Sequence, residues 1–275
     1  MIYMRKFLLK ILPQHKYAIN AKMLGDSATL AWSNLGYWSQ TQTSYVQAAE
    51  ALADHLAQAV QLSVNDHLLD LGCGQGASLK YWIEHYHPAR IEAVELQSSC
   101  IELIQRHLPA LRIQHHSFLD LAQLHPIKPF SVIVCIDAAY HCNLNELLIS
   151  MSSVLAKNGR IGFHTLMLTE KWQQLTTLQS LHYQALLKSA DVNVHDLLFR
   201  QGIEQALKYQ NFQKIQIEDL SSTVLAGFAN YIDQRKLKIH NLDAFKITMT
   251  AKLCQKLFDD GFVRYVQVTA EKIME

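Results

Sequence analysis

The residues best placed to do chemistry form one ordered series: Asp70, Gly72, Gly74, Gly76, Glu95, Asp137, Tyr140 and His141. In His67-Leu-Leu-Asp-Leu-Gly-Cys-Gly-Gln-Gly76, three glycines at alternate positions strip a loop of side chains. Backbone there can approach a ligand closely and take φ > 0. The spacing is G-x-G-x-G, not the G-x-G-x-x-G that cradles a pyrophosphate against a helix N-terminus. Asp70, two positions ahead of the first glycine, would repel a pyrophosphate and suits a ligand carrying positive charge. Glu95 stands 19 positions after Gly76 at the end of a second apolar run. A carboxylate there suits a bidentate contact to ribose hydroxyls. His141 follows a fourth apolar run, and the ordinary histidine pKa of about 6.5 suits general-base work near neutrality. Tyr140 is its natural partner, pressing on a ligand or hydrogen-bonding an acceptor group.

Positioning these groups takes strands that end together. The apolar runs are His67–Leu71, Ile91–Leu96, Leu111–His116, Phe130–Asp137 and Arg160–Met167. The fourth is nearly all apolar, as a central parallel strand buried on both faces should be. Helical stretches lie between them, at roughly 78–86, 98–107 and 143–156, the last reading as a helix end over Leu155–Gly159 with Gly159 as its stop. Strands alternating with helices predict a doubly wound parallel sheet. Asn211–Glu218 and Gly261–Val268 alternate as strands do, with two helices between them. A helix over Tyr45 to about Gln61 precedes the glycine loop, and 170–210 reads as a long helical insertion. The expected domains are a helical cap at 1–62, a core at 63–169, a lid insertion at 170–210 and completing strands and helices at 211–275. Trp172, Tyr183, Tyr209 and Phe228 are candidates for an apolar pocket under such a lid.

Composition narrows the partners. With 275 residues, 49% of them hydrophobic, the chain can bury one large α/β core. A net charge of +1 gives no broad electrostatic case for nucleic acid, and none is expected as a partner. Five cysteines, an odd number without regular spacing, read as reduced thiols in a cytoplasmic protein. Cys73 reads as a small filler in the glycine loop. The fourteen histidines show no zinc-site spacing with cysteines, so no metal is assigned. Met1–Leu12 is basic and apolar, yet too short and too charged for a signal peptide or a membrane span. We read it as a helix capping the site, with contact at a membrane surface as the alternative.

The glycine loop with its leading acid resembles motif I of the class I S-adenosylmethionine methyltransferases, whose cofactor carries an ammonium and a sulfonium. Asn34-Leu-Gly-Tyr-Trp38 ahead of it, and Asp137-Ala-Ala-Tyr-His-Cys142 after the fourth strand, resemble a narrower group. Those are small-molecule, natural-product O-methyltransferases of the microcystin and rebeccamycin-sugar type, with tocopherol and sterol C-methyltransferases as more distant relatives. The likeness covers roughly residues 30–165. It implies a Rossmann-like sheet of seven strands, the seventh antiparallel, with an N-terminal helical cap and helical lid insertions. It implies S-adenosylmethionine held by Tyr37, Asp70, Gly72, Cys73, Gly74, Gly76, Glu95, Leu96, Ser117, Phe118 and Asp137, with Tyr140 and His141 catalytic. Two positions depart from the pattern. Ser117 stands where many relatives place an Asp that binds the adenine amino group. Thr165 stands where several carry an acid that pairs with a histidine; neighbouring His164 either takes that role or faces the core side of the strand. The implied reaction is methyl transfer to a hydroxyl or amine of a small, fairly apolar metabolite. A lipid acceptor at a membrane surface and a non-catalytic binding protein are the alternatives, and the chain is expected as a monomer or homodimer.

Overall fold

The computed structural model describes residues 20–39, 44–124, 126, 128–237 and 241–273; the Met1–Leu12 segment lies outside them. An eight-stranded sheet forms the centre, in the order β3-β2-β1-β4-β5-β8-β7, with β6 paired to β5 off this path. The strands are β1 (His67–Leu71), β2 (Arg90–Glu95), β3 (Arg112–His115), β4 (Phe130–Cys135), β5 (Leu155–Leu168), β6 (Leu198–Phe199), β7 (Phe212–Asp219) and β8 (Val263–Lys272). β1 to β5 run parallel, while β8 is antiparallel to both β5 and β7. The doubly wound sheet with an antiparallel late strand therefore matches the expectation, but the strand count does not. The extra strand is the two-residue β6, which breaks the expected helical insertion before α6 (Arg200–Tyr209). Two apolar residues are too few to carry a strand period, so the local pattern hides it.

Each remaining element follows from its sequence. Helix α1 (Tyr45–Ala59) starts where the Ser44 side chain accepts the Gln47 amide. Its Tyr45, Ala48, Ala49, Leu52, Ala53, Leu56 and Ala57 recur at helical spacing and are all buried. That face packs on β5 where Gly162 leaves room, because a Cβ there would meet Val60 Cγ1 at 2.4 Å and Leu56 Cδ1 at 2.8 Å. Helix α2 (Ala77–Tyr81) continues into a π-helical turn, Trp82–Tyr86, and α3 (Ser98–His107) follows β2. Helix α4 (Leu144–Val154) begins at Asn143, whose side chain accepts the amides of Asn145 and Glu146.

The end of α4 corrects the sequence reading. It stops at Val154, Leu155 is already extended, and β5 pairs with β4 from there. The left-handed residue is Asn158 at φ +55°, not Gly159. Asparagine tolerates that conformation, so it can serve where glycine was expected. Beyond β5 come α5 (Thr177–Ser189), α6, α7 (Gly227–Arg235) and α8 (Leu242–Asp260). Among the described residues no helix is long and apolar enough to cross a membrane.

A strap over residues 30–38 crosses the carboxyl edge of the sheet. Asp26 anchors its start by accepting the amides of Ala28 and Trp32. Asn34 Oδ1 accepts the Gly36 amide, and the Tyr45 hydroxyl donates to the Asn34 carbonyl. Gly36 sits at φ +77° with Ala48 so near that an added Cβ would lie 2.8 Å away. The strap ends with Trp38, whose amide donates to the Thr223 carbonyl while its ring stacks on Tyr231 at 4.1 Å.

Candidate active site

The parallel strands end at one edge, and the loops leaving β1 and β4 there form a cleft with the strap. Its walls are Ala31–Asn34 from the strap, Asp70, Gly72 and Cys73 from the glycine loop, Ala77 and Ser78 from α2, and Ile136 after β4. The cleft is narrow, with a cavity volume of about 30 Å³, well below the roughly 300–1,000 Å³ typical of small-molecule sites. A wider groove of about 440 Å³ lies between α4 and α6. It is lined by Ile149, Leu198 and Tyr209 among others and shares no residue with the cleft. Asp70 and the glycine loop line the cleft, whereas none of the predicted catalytic or cofactor-binding residues lines the groove.

Gly72, Gly74 and Gly76 take φ of +68°, +55° and +89°, which side-chain-bearing residues rarely adopt. At Gly76 a Cβ would also strike Ile104 at 2.7 Å, so the loop's tightness depends on glycine twice over. Asp70 is 1% exposed. It accepts from Trp82 Nε1 at 2.7 Å and from the Ser78 side chain. Burial outweighs those donors and pushes its pKa up to about 6. Trp82 and Ser78 were not foreseen as site residues; the signal is that Ser78 lies in the first turn of the helix beside the glycines and Trp82, four residues on, faces the same side. Cys73 is buried, and its thiol is held well above the usual range by burial and by the nearby carboxylates, which suits a filler.

Glu95 is 6% exposed. One oxygen takes the Gly74 amide at 2.8 Å; the other takes the amides of Leu96 and Gln97 at 2.9 Å each. Three of about four lone-pair positions are thus filled from backbone. The carboxylate is fixed across the glycine loop with room for one further donor. Burial nevertheless leaves its pKa raised, above what the three amides restore. Leu96 next to it is 65% exposed. Phe118 lies beside Gly72, where a Cβ would meet its ring at 3.6 Å. Ser117 turns its hydroxyl to the Leu119 amide at 3.2 Å. Tyr37 packs its ring on His55 with centroids 5.0 Å apart and does not line the cleft.

Asp137, at φ +54°, is the hub of the opposite wall. Its Oδ1 accepts the Tyr140 hydroxyl at 2.7 Å and the Tyr265 hydroxyl at 3.0 Å, and its Oδ2 accepts the Leu35 amide at 2.8 Å. Burial raises its pKa, with these three donors acting against the rise. Next to it, His141 Nδ1 lies 3.0 Å from the Asp191 carbonyl. A carbonyl only accepts, so Nδ1 carries the proton of the neutral ring and Nε2 the lone pair. That tautomer is the one a general base needs.

The second histidine falls elsewhere. His164 is fully buried within the sheet, bonded to Gln267 at 3.1 Å and stacked on Tyr265, and burial drives its pKa down to about 3. It stays neutral, facing α1. Of the four aromatic candidates, Tyr183 and Trp172 meet edge to face at 5.9 Å, whereas Phe228 is wholly in the core. Tyr209 is 85% exposed in the outer groove and lines no inner pocket.

The chain's likenesses agree with this edge. A family model described as a methyltransferase domain matches residues 69–161, about a third of the chain. An erythromycin 3''-O-methyltransferase of Saccharopolyspora erythraea is 40% identical over 73 residues, 26% of this chain. That alignment spans only 24% of the relative's length. Among solved structures, a geranyl diphosphate methyltransferase in complex with GPP and sinefungin superposes with a TM-score of 0.75. It is 16% identical, with 94% of this chain and 96% of that one covered. The cyclopropane synthase MmaA2 from Mycobacterium tuberculosis gives 0.71 at 16% identity, covering 94% and 100%. At these identities the structures share the Rossmann-like α/β fold.

Proposed function

We propose that this chain transfers a methyl group from S-adenosylmethionine to a hydroxyl or amine of a small, fairly apolar metabolite. The observation that carries the reading is a cleft lined by the buried Asp70 and the glycine loop, with the Glu95 carboxylate held on the Gly74 amide and Asp137 on the Leu35 amide of the strap. Such a site favours a ligand bearing positive charge and disfavours a pyrophosphate. The residues fit the cofactor: Asp70 and the glycine loop suit its ammonium end, Glu95 a ribose hydroxyl, and Leu96 and Phe118 the faces of its base. When bound, the cofactor supplies an electrophilic methyl group on sulfur. The protein's task is then alignment and exclusion of water. The strap roofs the cleft, and Tyr140 borders the position an acceptor would take. For a hydroxyl acceptor, His141 Nε2 takes the proton as the oxygen attacks; an amine acceptor needs no such base.

Calorimetric titration of the purified chain with S-adenosylhomocysteine, with NAD as control, tests the reading. Micromolar binding of the first alone supports it. No binding to folded protein freed of carried-over ligand refutes it and leaves a non-catalytic role for the fold.

A second reading, an acceptor drawn from lipid, has its own observation. Leu242, Phe245 and Met249 form an exposed apolar stripe on α8, and the opposite face of that helix buries Cys254 next to Asp137. Liposome co-sedimentation of the full chain supports it; retention in the supernatant removes it.

A further inference from the structure

We propose that Tyr265 is a positioning residue for the cofactor cleft, acting through Asp137 on the strap over residues 30–38. The inference rests on the functional reading above and extends it to a residue from the far end of the chain. β8 runs antiparallel beside β5, so its first residues lie at the carboxyl edge of the parallel strands, with Tyr265 opposite Leu166. Tyr265 is fully buried and rigidly seated. Its amide donates to Ser221 Oγ at 2.9 Å, its carbonyl accepts the Leu220 amide, and its ring stacks on His164 at 5.6 Å. The hydroxyl ends 3.0 Å from Asp137 Oδ1. A group so enclosed does not touch the ligand; what it fixes is the direction of the Asp137 carboxylate.

That carboxylate joins three parts of the chain. Oδ1 gathers the two phenols, which leaves Oδ2 turned to the Leu35 amide in the middle of the strap. The strap residues on the near side of Leu35, Ala31–Asn34, form the roof of the cleft. Tyr265 and Tyr140 therefore hold the acceptor oxygen on which one strap amide hangs. The groups surrounding Asp137 on its other sides are Cys135 of β4, Cys254 of α8, Tyr45 of α1 and His141 of its own loop. The hydroxyls of Tyr140 and Tyr265 and the Leu35 amide donate to its carboxylate.

The test uses the full chain with S-adenosylhomocysteine as probe. Tyr265→Phe removes one hydroxyl and keeps the ring. It should weaken binding about 10- to 150-fold, the range for a hydrogen bond to a charged group. Amide hydrogen exchange across residues 30–38 of the ligand-free protein should quicken, while exchange in β1 and β4 stays unchanged. Asp137→Asn should do the same, and the double variant should bind no more weakly than Asp137→Asn alone. Wild-type affinity in Tyr265→Phe, or losses that multiply in the double variant, would overturn the proposal. Should Tyr265→Phe fail to fold, exchange at the Leu35 amide in Asp137→Asn decides: faster supports the link, unchanged refutes it. If the wild-type chain does not bind the probe, the functional reading fails by itself, and exchange across the strap still judges the link.

Discussion

Cofactor binding should expel a proton as the pH falls below about 6, and Asp70 sets the size of the effect. In the ligand-free chain its pKa is pushed up to about 6 by burial. A ligand with a cationic ammonium binds the ionised form and pulls that pKa down. At pH 5 only about one Asp70 in eleven is ionised, while at pH 7.5 nearly all are. The dissociation constant for S-adenosylhomocysteine should therefore rise about tenfold from pH 7.5 to pH 5 on account of this residue alone. Glu95 and Asp137 are also raised and would steepen the fall in affinity. Titration calorimetry in buffers of different ionisation enthalpy measures both quantities, and proton release should rise from about half a proton at pH 6 towards a full one near pH 5. An affinity flat between pH 5 and 7.5, or proton uptake on binding, would refute the reasoning from carboxylates to a cationic ligand.

The same shift makes Asp70 a burden on the empty fold. Between its ordinary value of 3.8 and about 6 the native state binds more protons than the unfolded one, so stability falls as pH rises through that window. Above it the cost is about 3 kcal/mol. Asp70→Asn should then melt higher than wild type at pH 8, with a gain that fades towards pH 4, while losing measurable affinity for S-adenosylhomocysteine. Glu95→Ala removes the acceptor of three backbone amides, and should cost about 1–3 kcal/mol in denaturant titration along with at least tenfold in affinity. His141→Ala should leave that affinity within twofold and slow transfer to a hydroxyl acceptor about 10²–10⁴-fold in single-turnover assays. Gly227→Ala places a Cβ 2.4 Å from Trp38 Cβ; displacing the end of the strap should weaken binding several-fold and cost about 1–3 kcal/mol in thermal melts.

The sequence reading reached furthest where chemistry and period coincide in a few residues. The glycine loop, Asp70 and the run Phe130–Cys135 each announce themselves within ten positions, and the structure places them at one edge. Tyr265 was invisible because it sits in an alternating apolar run, where a buried tyrosine reads as packing. The Leu35 amide left no trace, since backbone donors look alike in every sequence. Asn158 displaced Gly159 as the left-handed residue, a choice set by where β5 starts pairing. His164 illustrates the opposite failure: a titratable residue near the right strand end, placed by the two-residue alternation on the face that meets α1.

The antiparallel course of β8 has a consequence for biosynthesis. Asp137 and Tyr265 are separated by 128 positions, which at roughly 5–20 residues per second takes about 6–26 s of translation. Through that interval the nascent chain already contains the glycine loop, Glu95 and the strap, while the carboxylate that must hold the strap lacks one of its two phenols. Ribosome-bound or truncated chains ending before β8 are thus expected to possess every residue facing the ligand and still to retain it poorly. Competence arrives as a late, all-at-once event, tied to the strand that finishes the sheet.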